Sequence, residues 1–218
     1  IPAGMNLLAR SVKNLSLFLT HSHYDHIQGL PFFAPLHKPD MSVAIASAHL
    51  EGRMTTLEII QGVMRPPYFP VGPDIFKAAV SYQDFMPGDV LEPGPGIVMR
   101  TGRLHHPGGS TGYRIEYAGR VLAIVTDTEH TPGELDDKVL RLIEGADLFL
   151  YDSAYCDEEM AKYQGFGHSS WQHAIRLAEA SNVKAIGLMH HSPFHTDEDL
   201  GRIAGLAAER LSERLLKK

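Results

Sequence analysis

The stretch Leu15-Ser16-Leu17-Phe18-Leu19-Thr20-His21-Ser22-His23-Tyr24-Asp25-His26 decides how the rest of the chain is read. Leu15 to Leu19 is a short apolar run, the pattern of a buried strand. Polar and small residues take over at its end, so four ligand-type side chains fall where a strand opens into a loop. His21 and His23 are two residues apart, and in extended chain both point to one face. Asp25 and His26 follow on the turn and can reach a second point close by. Neutral imidazole and carboxylate are the donor set that suits zinc, and also iron or manganese. A lone histidine is more often a surface or satisfied core residue. Four donors within six positions, all after one strand, point to a metal.

The run His21-Ser22-His23-Tyr24-Asp25-His26 resembles the HxHxDH signature of the metallo-β-lactamase superfamily. The resemblance implies an α/β fold, an αββα sandwich of two mixed β-sheets flanked by helices, with a metal centre at one rim of the sheets. It covers the chain from about Ala3 to the last helix. Members usually carry several strands ahead of the signature. Only a short segment precedes it here, so an N-terminal strand pair is expected to be missing.

A chain of 218 residues can bury one sizeable core, and one domain spanning 1–218 is expected. Net charge is −6, which argues against broad binding to nucleic acid or an anionic membrane, since either would want a basic face. The single cysteine, Cys156, excludes an intrachain disulfide and fits a reducing, cytoplasmic compartment. No apolar run is long enough to span a bilayer.

After His26, Ile27 to Phe33 reads as a helix start, Ser42 to Ala46 as a strand and Thr55 to Val63 as a helix. Arg65 to Pro73 is too proline-rich for regular structure. It reads as a plain surface loop, or as a pocket wall offering Tyr68 and Phe69. Ile97 to Leu104 is a strand ending at His105-His106, followed by a small-residue loop and Gly112-Tyr113. This resembles the next ligand motif of the phosphodiesterase branch, and the Gly-Tyr offset favours His106 over His105. Val121 to Val125 is a buried strand ending at Thr126-Asp127-Thr128. By itself a strand-end aspartate is more often a helix N-cap. The resemblance makes Asp127 the bridging ligand. Nothing assigns a role to Glu129 or His130.

Gly133 to Gly145 is amphipathic and reads as a helix. Asp147 to Asp152 is a strand ending in a carboxylate, and His168-Ser169-Ser170 opens a helix from about Trp171 to Ala180, with Ser169 and Gln172 as a capping box. The strand-end acid followed by His-Ser-Ser resembles the His-Ser-Thr motif of tRNase Z relatives, in which the histidine works at the scissile phosphate and the acid orients it. By that match His168 is catalytic and Asp152 its partner. The bland alternative is that His168 only caps the helix. Val183 to Met189 is the last core strand and delivers His190-His191, of which the resemblance favours His190. A terminal helix follows, with Leu200, Ile203, Ala204, Ala207, Leu211 and Leu215 on its packing face.

The resemblance thus implies two divalent metal ions, zinc first and manganese or iron as alternatives. His21, His23 and His106 would hold one, and Asp25, His26 and His190 the other, with Asp127 bridging. Asp25 counts among the catalytic groups as well as the ligands. Two such ions about 3.5–4 Å apart can share a hydroxide that attacks a phosphoryl group. The activity implied is a dinuclear metal-dependent phosphodiesterase acting on a small phosphodiester or cyclic phosphate. Competing readings are a tRNase Z-like nuclease, a lactonase or thioesterase, and an iron-binding redox protein of the same fold. Nuclease relatives with a tRNA-gripping arm insert it between the third histidine and the bridging aspartate. Here a tight hairpin around Gly119 joins His106 to Asp127, so nucleic acid is disfavoured as a partner. A homodimer is compatible with the sequence.

Overall fold

The computed structural model describes residues 12–216 and divides the chain into two compact units, one ending at Pro87 and the other beginning at Gly88. The expected absence of strands ahead of Leu15 concerns residues 1–11, which lie outside the described residues. Within them the class is α/β, with sheets flanked by helices.

The first unit is built on a three-stranded sheet of β1 (Asn14–Leu19), β2 (Ser42–Ser47) and β3 (Ala79–Asp84), in that order. Both pairings are parallel, Leu17 opposite Ile45 and Ile45 opposite Tyr82. Parallel neighbours need crossover connections, and helical segments supply them. Between β1 and β2 lie a one-turn helix, α1 (Tyr24–Ile27), and two 3₁₀ turns, Leu30–Phe32 and Ala34–His37. The helix expected from Ile27 onward does not form as one piece. Pro31 and Pro35 have no N–H to donate, so the chain takes short turns instead. Between β2 and β3 lies α2 (Thr56–Val63), started by a capping box between Thr55 and Glu58. Leu17, Leu19, Ile27, Leu30, Leu36, Val43, Ile45 and Ile60 are buried together as this unit's core. In the proline-rich loop Tyr68 is exposed, while Phe69 packs edge-on against Phe32 with ring centroids 5.6 Å apart.

The second unit carries a mixed sheet ordered β4 (Val90–Gly94), β5 (Ile97–Leu104), β6 (Ser110–Tyr117), β7 (Arg120–Val125), β8 (Leu148–Asp152) and β9 (Ile186–Met189). Strands β4 to β7 pair antiparallel, and β7, β8 and β9 run parallel. The β6–β7 turn is Ala118-Gly119, with φ of 49° and 73°. Two positive φ values in a two-residue loop follow the twist of the flanking strands. Helices α3 (Asp137–Ile143), α4 (Asp157–Met160), α5 (Trp171–Ala180) and α6 (Asp197–Leu216) complete the unit. Helix α3 is shorter than the sequence pattern, because Asp136 caps it by accepting from the Lys138 N–H at 2.7 Å. Phe149, Ala123, Val125, Val139, Ile143, Ala174 and Leu177 form the buried core. Leu142 lies over Gly102 and Gly112, where an added Cβ would come within 3.0 Å of its Cδ1. No helix among the described residues is long and apolar enough to cross a membrane.

Candidate metal centre

In the first unit the sheet is parallel, so β1 and β2 end at the same edge. Strand β1 releases the chain at Thr20, and His21 to His26 follow. His21 is 1% exposed, with its ring 4.6 Å from that of His23 and 4.2 Å from that of His26, centroid to centroid. The turn is closed by the His26 N–H donating to the His23 carbonyl at 3.1 Å, the first bond of α1. Asp25 Oδ2 lies 3.1 Å from His26 Nε2. The four donors of the signature thus meet at one sheet edge because a strand end and a single helical turn fold them together.

Strand direction organises the second unit in the same way. Strand β5 is antiparallel to β6, which is antiparallel to β7, so β5, β7, β8 and β9 all end at one edge. Ligands gather at the carboxyl ends of such strands. His106, Asp127, Asp152 and His190 follow or close these strands. His106 is buried and donates from Nδ1 to the Gly167 carbonyl at 2.8 Å. His105 faces out, its Nδ1 3.2 Å from the Glu129 carbonyl oxygen. Asp127 and His190 have φ of 55° and 58°, left-handed values that non-glycine residues avoid. Backbone strain of this kind collects at functional sites. Here it turns both side chains back over the strand ends, bringing His190 Nε2 to 3.2 Å from Asp127 Oδ1. His191 instead lines an apolar groove with Ile175, Leu188 and Ile203.

His168 Nδ1 donates to Asp152 Oδ2 at 2.9 Å, and its ring stacks on that of His190 at 4.8 Å. Asp152 is wholly buried. Its carboxylate also accepts from the N–H groups of Ala154 at 3.1 Å, and of Thr128 and Ser169 at 3.3 Å. A carboxylate offers about four lone-pair directions, and these four bonds fill them. The expected capping box is corrected. Ser170, not Ser169, caps α5 by accepting from the His173 N–H at 3.2 Å. The Ser169 hydroxyl is engaged by His130 Nδ1 at 2.7 Å and by the Tyr151 hydroxyl at 3.0 Å.

Ligand atoms of Asp127, Asp152, His168 and His190 all lie within 4.8 Å of one another. Bonds of about 2.0–2.2 Å from imidazole nitrogen or carboxylate oxygen to a first-row cation set two donors at most about 4.4 Å apart, so small side-chain adjustments bring this cluster to bonding distance. The donor chemistry of both units therefore fits divalent metal. Asp152 is the poorest ligand of the group, because its oxygens are already taken.

One histidine at the first unit's edge escapes the sequence reading. His49, just beyond β2, has Nε2 2.9 Å from the Ser22 hydroxyl and its ring 6.5 Å from that of His21. Burial, with the neighbouring charges of His23 and Arg53, pushes its pKa down to about 4. It follows Ala48 with no motif around it, and only the parallel β1–β2 pairing brings it beside Ser22.

Ribonuclease Z of Streptococcus mutans is 36% identical over 93 residues, 42% of this chain and 28% of that relative. The chain spans well under two thirds of the curated relatives it matches. Among solved structures, the metallo-β-lactamase fold protein YhfI of Bacillus subtilis superposes with a TM-score of 0.64 at 19% identity, covering 88% of this chain and 71% of that one. A diphosphatase from the PhnP family gives 0.63 at 20% identity, covering 89% and 68%. Likeness at this identity shows the metallo-β-lactamase fold. A family model described as the beta-lactamase superfamily domain matches residues 7–191, most of the chain, and the chain belongs to that family.

Proposed function

We propose that this protein is a metal-dependent hydrolase of the phosphodiesterase type, acting on a small phosphodiester or cyclic phosphate. In this reading His21, His23 and His106 would hold one divalent cation, Asp25, His26 and His190 would hold the second, and Asp127 would contribute to both. Zinc is the first choice of metal. Such cations supply Lewis acidity and a bound water whose pKa falls towards about 7.

The observation that carries the reading is the Asp152–His168 pair, 2.9 Å apart and beside Asp127 and His190. Asp152 accepts a hydrogen bond from the Nδ1–H of His168, so the exchangeable proton of the ring belongs to Nε2. When Nε2 is also protonated, the buried carboxylate stabilises the imidazolium. That proton can then go to a departing alkoxide as the P–O bond breaks, leaving neutral imidazole and an alcohol. A lactonase or thioesterase needs metal ligands but no such pair. The second reading, a nuclease, draws on the ribonuclease Z relative. Against it stand the net charge of −6 and the two-residue Ala118-Gly119 turn, which leaves no insertion between His106 and Asp127 for an arm that grips tRNA.

Metal analysis of the purified protein, followed by assay on bis-p-nitrophenyl phosphate, cyclic nucleotides, a precursor tRNA and a lactone, tests the reading. Turnover of the diesters that a chelator abolishes is expected. Turnover of the lactone with none on any diester would overturn it, and cleavage confined to tRNA would favour the nuclease.

A further inference from the structure

Glu129 ties together three segments of the second unit. Its backbone N–H donates to the His105 carbonyl at 2.7 Å, and its own carbonyl lies 3.2 Å from His105 Nδ1. That fixes it to the end of β5. It also stands two residues after Asp127, on the chain leaving β7. Its carboxylate reaches the third segment, the loop before His168. The Gly165 N–H donates to both Glu129 oxygens at 2.9 Å, and the Gly167 N–H donates to Oε2 at 2.8 Å. Bonds to an ionised acceptor are the strong kind.

The loop so held bears directly on two site histidines. Gly165 and Gly167 both have φ of 86°, which side chains rarely adopt. Gly167 lies flat against His106, since a Cβ there would be 2.2 Å from His106 Nδ1 and from Pro107 Cδ. Its carbonyl accepts the Nδ1 proton of His106 at 2.8 Å. A carbonyl can only accept, so this bond sets the tautomer with Nδ1 protonated and Nε2 carrying the lone pair. The next residue is His168.

From this geometry we infer that Glu129 is a positioning residue. Its carboxylate clamps the Gly165–Gly167 loop, so that one anchor holds His106 in the tautomer that offers Nε2 to a metal and holds His168 in register with Asp152. The inference rests on the proposed function only in taking His106 as a ligand. It differs from a purely structural role in acting on a named proton, that of His106 Nδ1. Partners that fix the tautomer of a ligating histidine typically change metal affinity by 10–100-fold when lost.

The test compares the wild type with E129A and E129Q as full chains. Long-range ¹H–¹⁵N spectra of the metal-free proteins report each histidine's tautomer. Zinc titration against a chromophoric chelator reports affinity. His37 is the internal reference, its Nε2 donating to the Pro31 carbonyl at 2.8 Å in the other unit. In E129A the His106 signals should move from the single Nδ1–H pattern towards tautomer averaging while His37 stays unchanged. Zinc affinity should fall 10–100-fold. E129Q keeps one acceptor oxygen and should fall between. If E129A keeps the His106 tautomer and the zinc affinity of the wild type, the inference is wrong. Should E129A fail to fold, E129Q decides alone, and unchanged spectra and affinity there overturn it equally. A wild type that binds no zinc would refute the metal reading instead, while the tautomer comparison would still decide the role of Glu129.

Discussion

Asp152 and His168 are joined Oδ2 to Nδ1 at 2.9 Å, and the aspartate that anchors the pair is fully buried while the histidine side chain is 19% exposed. The acid is the fixed member and the ring the accessible one, as a general acid requires. His168→Ala should lower kcat on alkyl diesters by about 10²–10⁴-fold and leave metal content at the wild-type level. The loss should shrink on p-nitrophenyl esters, whose leaving group needs little protonation. Loss of metal in this variant would make His168 a ligand. Asp152→Asn should cost less turnover than His168→Ala, because it disturbs only the ring's tautomer and orientation.

Asp127 and His190 pair at 3.2 Å from left-handed backbone positions. Asp127→Ala should reduce bound metal below that of the wild type and abolish diester turnover. A metal that binds only the folded state also stabilises it, by about 2.7 kcal/mol at a hundred times Kd. Thermal unfolding with and without chelator should therefore show a higher Tm for the loaded wild type and a smaller difference for Asp127→Ala.

His173 is buried and stacks on His130 at 3.9 Å, with Arg176 near its Nδ1. Burial first, then the charges of His130 and Arg176, push its pKa down to about 3. The unfolded chain has the ordinary value of about 6.5. Above that pH neither state protonates the ring and its neutral burial costs nothing in linkage. As pH falls from about 6.5 towards 3, the unfolded state takes up a proton that the folded state refuses. Stability is then lost at up to about 1.4 kcal/mol per pH unit. Urea unfolding of His173→Gln should show a correspondingly flatter pH dependence between pH 6.5 and 4 than the wild type, and the same dependence above pH 7.

Phe149 is fully buried in the second unit's core on the strand that ends at Asp152. Phe149→Ala should cost about 3–5 kcal/mol of stability, read from denaturant midpoints at constant m-value. Metal content of the folded fraction should be unchanged, because the side chain belongs to the apolar core.

Much of this protein is legible in order along the chain. The run from Leu15 to His26 reveals a strand and a donor cluster because every residue involved is local. The strands leading to Asp127, Asp152 and His190 declare themselves by largely apolar runs that stop at polar residues. The weaker strands β3 and β4 do not, because their residues are largely exposed and their apolar positions few. The sequence pattern also sets the N-cap of α5 one residue early. Ser169 and Ser170 are equivalent in sequence, and only the presence of His130 and Tyr151 beside Ser169 leaves the cap to Ser170.

Family, α/β class and the chemistry of the donors follow from residue order, since strand periodicity and residue type are properties of short segments. The resemblance favours His106 over His105, and tertiary structure supplies the physical reason. His105 and His106 differ by one position, and the bond to the Gly167 carbonyl, 61 residues away, holds His106 inside. Tertiary structure equally decided that Asp152 anchors His168, and that Glu129 reaches the Gly165–Gly167 loop. Each is a bond between a strand end and the Gly165–His168 loop, which lies 16 to 61 residues away in the chain. They exist because strands β5, β7 and β8 deliver their carboxyl ends to one edge, a consequence of pairing that no local pattern encodes.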